Sequence, residues 1–414
     1  MHRSGLKFGA LGLGTVGGCV LSQILDGGKD FPIHWVADSK SVLSSESRPF
    51  AAKEIGTIMN LKAKRQSLSH RMKDVPNVRV DEFRDSRQEV RILTSIMATK
   101  EEWLVFDTAP LAPAYDHEIV KEMMGVAGFC TANKTSWADY GLCSDLYRRA
   151  DRSETFLGLN CTTGTWVDQM ESLPLVMKYV TKGRITITKR DNSSLNLFFA
   201  KVDSSIDPDD AMKEIEKAGH LEPGAKDFSK EVHDQVLKAR IAANICGVLR
   251  GIKPRYIDRT LTGHDRPHSM SPADVARWHR EGNRKRGFKA LITRVVLDQD
   301  RKEHLGCTVS FGELDRGSPL ARQFPGKSAI SIESSGSPAR SDGNERLRGS
   351  GYLHSGYGGA ERTAAKLLWE AERISRLRSF KGRVPFTPLP VLFAASLGKE
   401  PEARLREVIT ASLA

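Results

Sequence analysis

Gly12-Leu13-Gly14-Thr15-Val16-Gly17, with Gly18 behind it, stands between a short apolar run, Leu6–Leu11, and a helical pattern, Cys19–Leu25. Few short patterns restrict a chain so much. The glycines allow a tight turn and bring the backbone close to a phosphate at a helix N-terminus. A second apolar strand, Ile33–Ala37, ends at Asp38, twenty-one residues after Gly17. Strand, glycine turn, helix and strand with a terminal acid are the opening of an α/β nucleotide-binding unit. In it Gly12, Leu13, Gly14, Thr15, Val16 and Gly17 would cradle a pyrophosphate, and Asp38 would accept from the adenosine ribose hydroxyls. A structural glycine turn is the plainer alternative.

The following segments extend the pattern. Residues 44–90 are polar and basic, and read as a helix plus loop on the surface. Trp103–Phe106 is a buried strand ending in Asp107-Thr108-Ala109-Pro110, with a helix near His117–Met124 behind it. Gly128–Thr131 is the next strand and runs into Ala132-Asn133-Lys134. Such strand ends gather at the carboxyl edge of a parallel sheet, where these folds bind ligands. The expected first domain, 1–150, is therefore Rossmann-like, with Thr108, Ala109 and Asn133 as cofactor-side residues and Lys134 within reach of a nicotinamide or substrate.

From about residue 150 the periodicity changes, and 151–350 reads as an α+β substrate and dimerisation domain. Arg184–Thr188 and Leu195–Ala200 read as strands. Asp207, Pro208 and Gly219 start and stop a helix. Gly287–Asp298, Gly306–Phe311 and Ser328–Glu333 read as strands, and Ser334–Gly349 as a mobile loop or hairpin tip. Tyr352–Ser355 leads through Gly356-Tyr357-Gly358-Gly359 into a long helix, Glu361–Arg378. That glycine turn fits a cofactor contact at Gly358 or a packing turn equally well. The helix, in 351–378, is read as returning to the nucleotide domain, and 379–414 as a C-terminal extension.

Composition narrows the function classes. Hydrophobic residues at 39% and charged residues at 28% of 414 are ordinary for a globular protein. No run of 18 apolar residues is present, so no membrane span is expected, and the first residues lack a signal-peptide pattern. The six cysteines are scattered singly, which suggests neither zinc nor a disulfide framework and fits a reduced, cytoplasmic setting. Net charge is +12, concentrated in 251–290, where ten Lys/Arg face four Asp/Glu. WHREGNRKRGFKA lacks interleaved aromatics, so it reads as a solvated insertion rather than a nucleic-acid contact.

The second informative stretch is GHLEPGAKDFSKEVHDQVLK, Gly219–Lys238, where charge stands on a helix that should be apolar. With Ser229 as N-cap, Leu237, Ile241, Ile245, Val248 and Leu249 fall on one face at about 100° per residue. Asp234 and Lys238 project into that face, and Glu222, Lys226 and Asp227 lie in the loop before it. Burying charge is costly unless it is paired, which points to a site; an i,i+4 tether on a surface helix is the alternative.

Together these residues resemble the homoserine dehydrogenase family, from Leu6 to about Ile374. The glycine turn, Asp107-Thr108 and Thr131-Ala132-Asn133-Lys134 have counterparts there. Gly219-His220-Leu221-Glu222-Pro223 resembles the family's G-Y-x-E-P, followed by Asp227 and by Asp234-x-x-x-Lys238 with one extra residue before Asp234. Ser318-Pro319-Leu320 and the glycine turn before Thr363-Ala364 match later landmarks. The resemblance implies interconversion of L-homoserine and L-aspartate 4-semialdehyde with NAD or NADP, by a homodimer joined through the second domain. It implies that Glu222 holds the substrate ammonium, with Asp227, Ser194 and His220 completing the pocket. Lys238 would transfer the proton, Asp234 would orient it, and Lys134 would be its electrostatic partner.

The chain also departs from the family. Where a V-G-x-G-x-P loop is usual, it has Leu159-Asn160-Cys161-Thr162-Thr163-Gly164-Thr165-Trp166-Val167-Asp168-Gln169, without the proline, which puts monovalent-cation binding in doubt. His220 replaces tyrosine and Ser194 a threonine. No regulatory or kinase domain is evident. Asp38 argues for NAD, whereas Ser39-Lys40-Ser41 suits a 2′-phosphate. Two other classes stay open: a dehydrogenase of another small amino- or hydroxy-acid, and a non-catalytic dinucleotide sensor.

Overall fold

The computed structural model describes residues 6–27, 31–45, 47–109, 113–163, 184–190, 192–218, 220–221, 227–258, 271–284, 287–298, 304–315, 320, 328–335, 352–356 and 359–378. The chain forms two compact units. The first holds the described residues up to Trp137, those from Gly141 to Thr162 and those from Ala360 onward; the second holds Ala138–Tyr140 and those from Thr163 to Gly359.

In the first unit the chain runs β1 (Lys7–Leu11), α1 (Thr15–Asp26), β2 (Ile33–Ala37), β3 (Ser41–Ser44), α2 (Ala52–Ala63), α3 (Leu68–Met72), β4 (Arg79–Glu82) and α4 (Ser86–Ile96). It continues through β5 (Trp103–Asp107), α5 (Pro113–Met123), β6 (Gly128–Thr131), α6 (Thr135–Ala138), α7 (Tyr140–Arg152), β7 (Phe156–Gly158) and α8 (Asn160–Thr163). The strands make one sheet in the order β4-β3-β2-β1-β5-β6-β7. Pairing is parallel from β2 through β7, while β3 and β4 are antiparallel additions. This is the expected Rossmann-like α/β arrangement.

The register fixes where a ligand can sit. Leu11 is level with Ala37 on one side and Asp107 on the other, and Asp107 with Thr131. The turns after these strands therefore open at one edge, and the strand order reverses between β2 and β5 about β1, the place where such sheets bind ligands.

The surface reading of 44–90 is corrected. Ile55, Ile58, Leu61, Leu68 and Met72 join the core cluster of β1, α1 and β5. Polar composition hid this, because each short element contributes only one stripe of apolar residues.

In the second unit lie β8 (Arg184–Arg190) and the helices α9 (Ser193–Asp203), α10 (Pro208–Lys217) and α11 (Ser229–Arg250). Then come β9 (Arg255–Asp258), α12 (Pro272–Arg284), β10 (Gly287–Asp298), β11 (His304–Asp315), β12 (Ser328–Ser335) and β13 (Tyr352–Gly356). The sheet order is β13-β12-β8-β10-β11-β9, antiparallel except for β11 with β9. It is the α+β partner expected from sequence. The final helix, α13 (Ala360–Arg378), belongs to the first unit, where Ala364, Leu367, Leu368, Ala371 and Ile374 enter the core at helical spacing.

Three local readings fail here. Leu195–Ala200 is not a strand but part of α9: Asn192 caps it by accepting from the Leu195 amide at 2.8 Å, and Leu195, Phe198, Phe199 and Val202 are buried at helical spacing. The short apolar run fitted both periods. The segment 251–290 is not merely a solvated insertion, since α12 buries Val275, Ala276 and His279. The His279 ring stacks on Phe199 at 4.2 Å and lies 3.2 Å from Asp203 Oδ1. On α11 the buried set is broader than one face, from Val232 and Val236 through Ile241–Gly247, whereas Leu237, Val248 and Leu249 are half-buried. The loop reading of Ser334–Gly349 falls largely outside the described residues, as does the 379–414 extension.

Candidate active site

The turn after β1 explains its glycines one by one. Gly12 has φ +87°, and a Cβ there would lie 2.5 Å from the Ala109 amide nitrogen. A Cβ on Gly17 would lie 2.1 Å from the Gly12 carbonyl oxygen. Both positions are closed to side chains by the crossing of β1, α1 and the β5 end. Gly14 differs: a Cβ there meets nothing within 4 Å. It is the N-cap of α1, with no side chain capping the helix amides and no acid in the first turn. The turn is thus packed at its ends and open in the middle, at the positive end of a helix dipole.

The β5 end locks this geometry. Thr108 Oγ1 donates to the Gly12 carbonyl at 2.7 Å. Asp107, fully buried, accepts from the Ala109 amide at 3.2 Å and from Thr131 Oγ1 at 2.8 Å. Asn133 Nδ2 donates to the Ala109 carbonyl at 2.8 Å, and the Asn133 amide donates to Thr131 Oγ1 at 2.9 Å. Thr108, Ala109 and Asn133 are therefore one hydrogen-bonded edge. Lys134, half-buried, follows it directly.

A cleft of 1090 Å³ opens from the glycine turn and runs toward the β2 end. Leu13, Gly14, Thr15, Asp38, Ser39, Lys40, Lys62, Arg65 and Glu89 are among its lining residues. Val16 and Gly17 stand behind the turn rather than in the lining. Asp38 does more than end β2. Its Oδ1 accepts from the Lys40 amide at 2.9 Å, the Ser41 amide at 2.9 Å and Ser41 Oγ at 3.1 Å, and its Oδ2 pairs with Lys62 Nζ at 3.3 Å. This carboxylate closes its own turn and is partly neutralised. Lys62, Arg65 and Glu89 were missed by sequence reasoning. Glu89 carried a usable signal: it stands four residues before Leu93 and eight before Met97, on the buried stripe of α4.

In the second unit, Lys238 Nζ lies 2.6 Å from Asp234 Oδ2 on α11, with side chains 15% and 35% exposed. The pair is real and largely sheltered. Ser229 is not the N-cap of α11; Phe228 holds that position, and Asp227 Oδ1 accepts from the Ser229 amide at 2.9 Å. Asp227 is thereby anchored at the helix start. Ser194 Oγ donates to the His220 carbonyl at 2.6 Å, which brings those two residues together. A Cβ on Gly359, at φ +116°, would stand 4.0 Å from His220 Cε1. Glu222, Gly358 and residues 164–169 of the altered loop lie outside the described residues.

Other chemistries find less support. Burial pushes the Cys130 and Cys161 thiols well up and Cys246 to about 12, so none is a poised thiolate. Among the described residues no group of three or more His, Cys, Asp or Glu could hold a metal ion, and no helix is long and apolar enough to cross a membrane.

No family model matches the chain, and no curated protein sequence does. Solved structures do. The fold is similar to a hyperthermophilic archaeal homoserine dehydrogenase in complex with NADPH, with TM-score 0.60 and 16% identity over 92% of this chain and 99% of that one. It is similar to a putative homoserine dehydrogenase from Archaeoglobus fulgidus, with TM-score 0.59 and 18% identity over 89% and 99%. It is also similar to a protein of unknown function from Candida auris, with TM-score 0.61 and 15% identity over 89% and 98%. At these identities the likeness is one of fold.

Proposed function

We propose that this chain is a nicotinamide-dependent oxidoreductase of the homoserine dehydrogenase type, interconverting L-homoserine and L-aspartate 4-semialdehyde. The observation that carries the reading is the open space at Gly14, at the bare N-terminus of α1 and at the mouth of a 1090 Å³ cleft. A pyrophosphate fits there, and the amides of the first turn would bind it. The cofactor residues are those of the turn with Thr108, Ala109 and Asn133. Because Asp38 is engaged by its own turn and by Lys62, with Lys40 and Arg65 nearby in the lining, a 2′-phosphate is tolerated and both NAD and NADP are accepted.

A bound nicotinamide would supply the hydride. The protein's part is charge and position. As the aldehyde is reduced, negative charge grows on its oxygen, and an ammonium held in a sheltered site both stabilises it and donates the proton. Lys238 has that role, held by the Asp234 carboxylate at 2.6 Å. Lys134 is its electrostatic partner. Glu222 takes the substrate ammonium, with Asp227, Ser194 and His220 shaping the rest of the pocket. A homodimer joined through the second unit is the proposed assembly. The solved structures of similar fold, homoserine dehydrogenases among them, support the reading.

A second reading, a dehydrogenase of another small amino- or hydroxy-acid, is favoured by Asp227, whose carboxylate already serves the start of α11. Oxidation of NADH and NADPH with aspartate 4-semialdehyde, followed by nicotinamide absorbance, tests the proposal. Lys238→Ala is expected to lower kcat by about 100-fold or more while leaving dinucleotide affinity near wild type. Near-normal turnover in that variant would remove Lys238 from the chemistry.

A further inference from the structure

The cleft of the first unit ends in a residue that nothing so far explains. Glu89 on α4 is 1% exposed, lines the cleft, and has no hydrogen-bond partner at Oε2. A buried carboxyl without a partner is expensive to keep. Asp107, equally buried, has its oxygens satisfied by Ala109 and Thr131. Glu89 instead lines a cleft through which a partner can arrive from outside.

Its neighbourhood says which part of a ligand that is. The charge that acts on Glu89 is that of Asp38, at the end of β2. In sheets of this kind, the acid at that position meets the 2′ position of the adenosine ribose. Here Asp38 is turned to its own loop and to Lys62. The discriminating contact is left to another group.

We propose that Glu89 is a specificity-determining residue that reads the 2′ substituent of the bound dinucleotide from inside the cleft. It accepts a ribose hydroxyl in either protonation state, and it admits a 2′-phosphate only while its own carboxyl is neutral. The inference rests on the cofactor reading above and deepens it.

The remaining charged groups are consistent with this division. Lys40, Lys62 and Arg65 line the same cleft and favour an anion there. α4 also packs on β3, which adds only neutral Ser41 to the lining, and on α5, whose His117, Glu118, Lys121 and Glu122 are not among the lining residues. Burial first, and the Asp38 charge second, push Glu89 up to about 8. Its ionisation thus falls in a range where the protein can be handled and where a phosphate monoester, with its second pKa near 6, no longer changes charge.

The test is the affinity of the wild-type chain for NADPH and for NADH between about pH 7 and about pH 9, by quenching of protein fluorescence. If only the neutral form takes the phosphate, the NADPH Kd rises about tenfold across that range while the NADH Kd stays nearly level. In Glu89→Gln, which keeps the shape and cannot ionise, the ratio of the two constants is expected to be flat. The wild-type titration needs no variant, so it decides the matter even if Glu89→Gln folds poorly. A wild-type ratio that does not move with pH, or a shift that persists in Glu89→Gln, overturns the assignment while the cofactor reading stands. Failure of both dinucleotides to bind at any pH would instead strike the cofactor reading and this one with it.

Discussion

At the scale of single residues, the chain is legible where a side chain is out of place. Asp234 and Lys238 stand out because helix periodicity sets them among apolar residues, and their side chains lie 2.6 Å apart. Glu89 obeys the same rule but does not stand out, because its helix sits in a segment too polar to look like core. Its burial has a consequence for stability that is independent of any ligand. Between 4.5 and about 8 the folded chain keeps a proton on Glu89 that the unfolded chain has lost, so stability falls as pH rises through that window. Glu89→Gln is expected to abolish this loss, leaving the variant on the order of 3 kcal/mol more stable than wild type at about pH 9 and nearly equal at about pH 4. Urea unfolding at the two pH values measures it. Parallel behaviour of the two proteins would mean that Glu89 ionises freely in the folded state.

At the scale of elements, the glycine turn was the most readable part of the sequence, because its spacing follows from backbone geometry rather than from packing elsewhere. The structure separates its glycines by what surrounds them. Gly12→Ala forces a methyl group to 2.5 Å from the Ala109 amide at φ +87°, and is expected to cost about 2 kcal/mol or more in thermal or urea unfolding. Gly14→Ala meets open space at φ −72°. It should leave stability within about 0.5 kcal/mol of wild type yet weaken dinucleotide binding about tenfold or more, since the methyl group takes the ground of the pyrophosphate. Unchanged binding in Gly14→Ala would mean that the turn serves packing alone. The elements that were misread share a cause. The sequence of α9 reads as a strand because six apolar-rich residues fit both periods, and only the Asn192 cap decides between them. The antiparallel strands β3 and β4 are four residues each, too short to carry a pattern.

At the scale of the molecule, order along the chain predicted architecture better than composition did. A run of alternating strands and helices gave the parallel sheet, and the change of periodicity near residue 150 gave the second, α+β unit. Charge density misled: the basic stretch 251–290 supplies a strand and a helix of that second unit, with His279 fully buried. The fold then matches solved structures over about nine-tenths of the chain at 15–18% identity, a level at which packing positions are kept by many different residues. Chemistry is carried by far fewer of them, and it is these that a direct assay must question. The most direct is incubation of the wild-type chain with L-homoserine and NADP or NAD, with the product identified by mass spectrometry alongside the rise in nicotinamide absorbance. Formation of L-aspartate 4-semialdehyde matched mole for mole by reduced cofactor is the predicted result. Tight dinucleotide binding with no turnover of L-homoserine, while another small hydroxy-acid is oxidised, would contradict it.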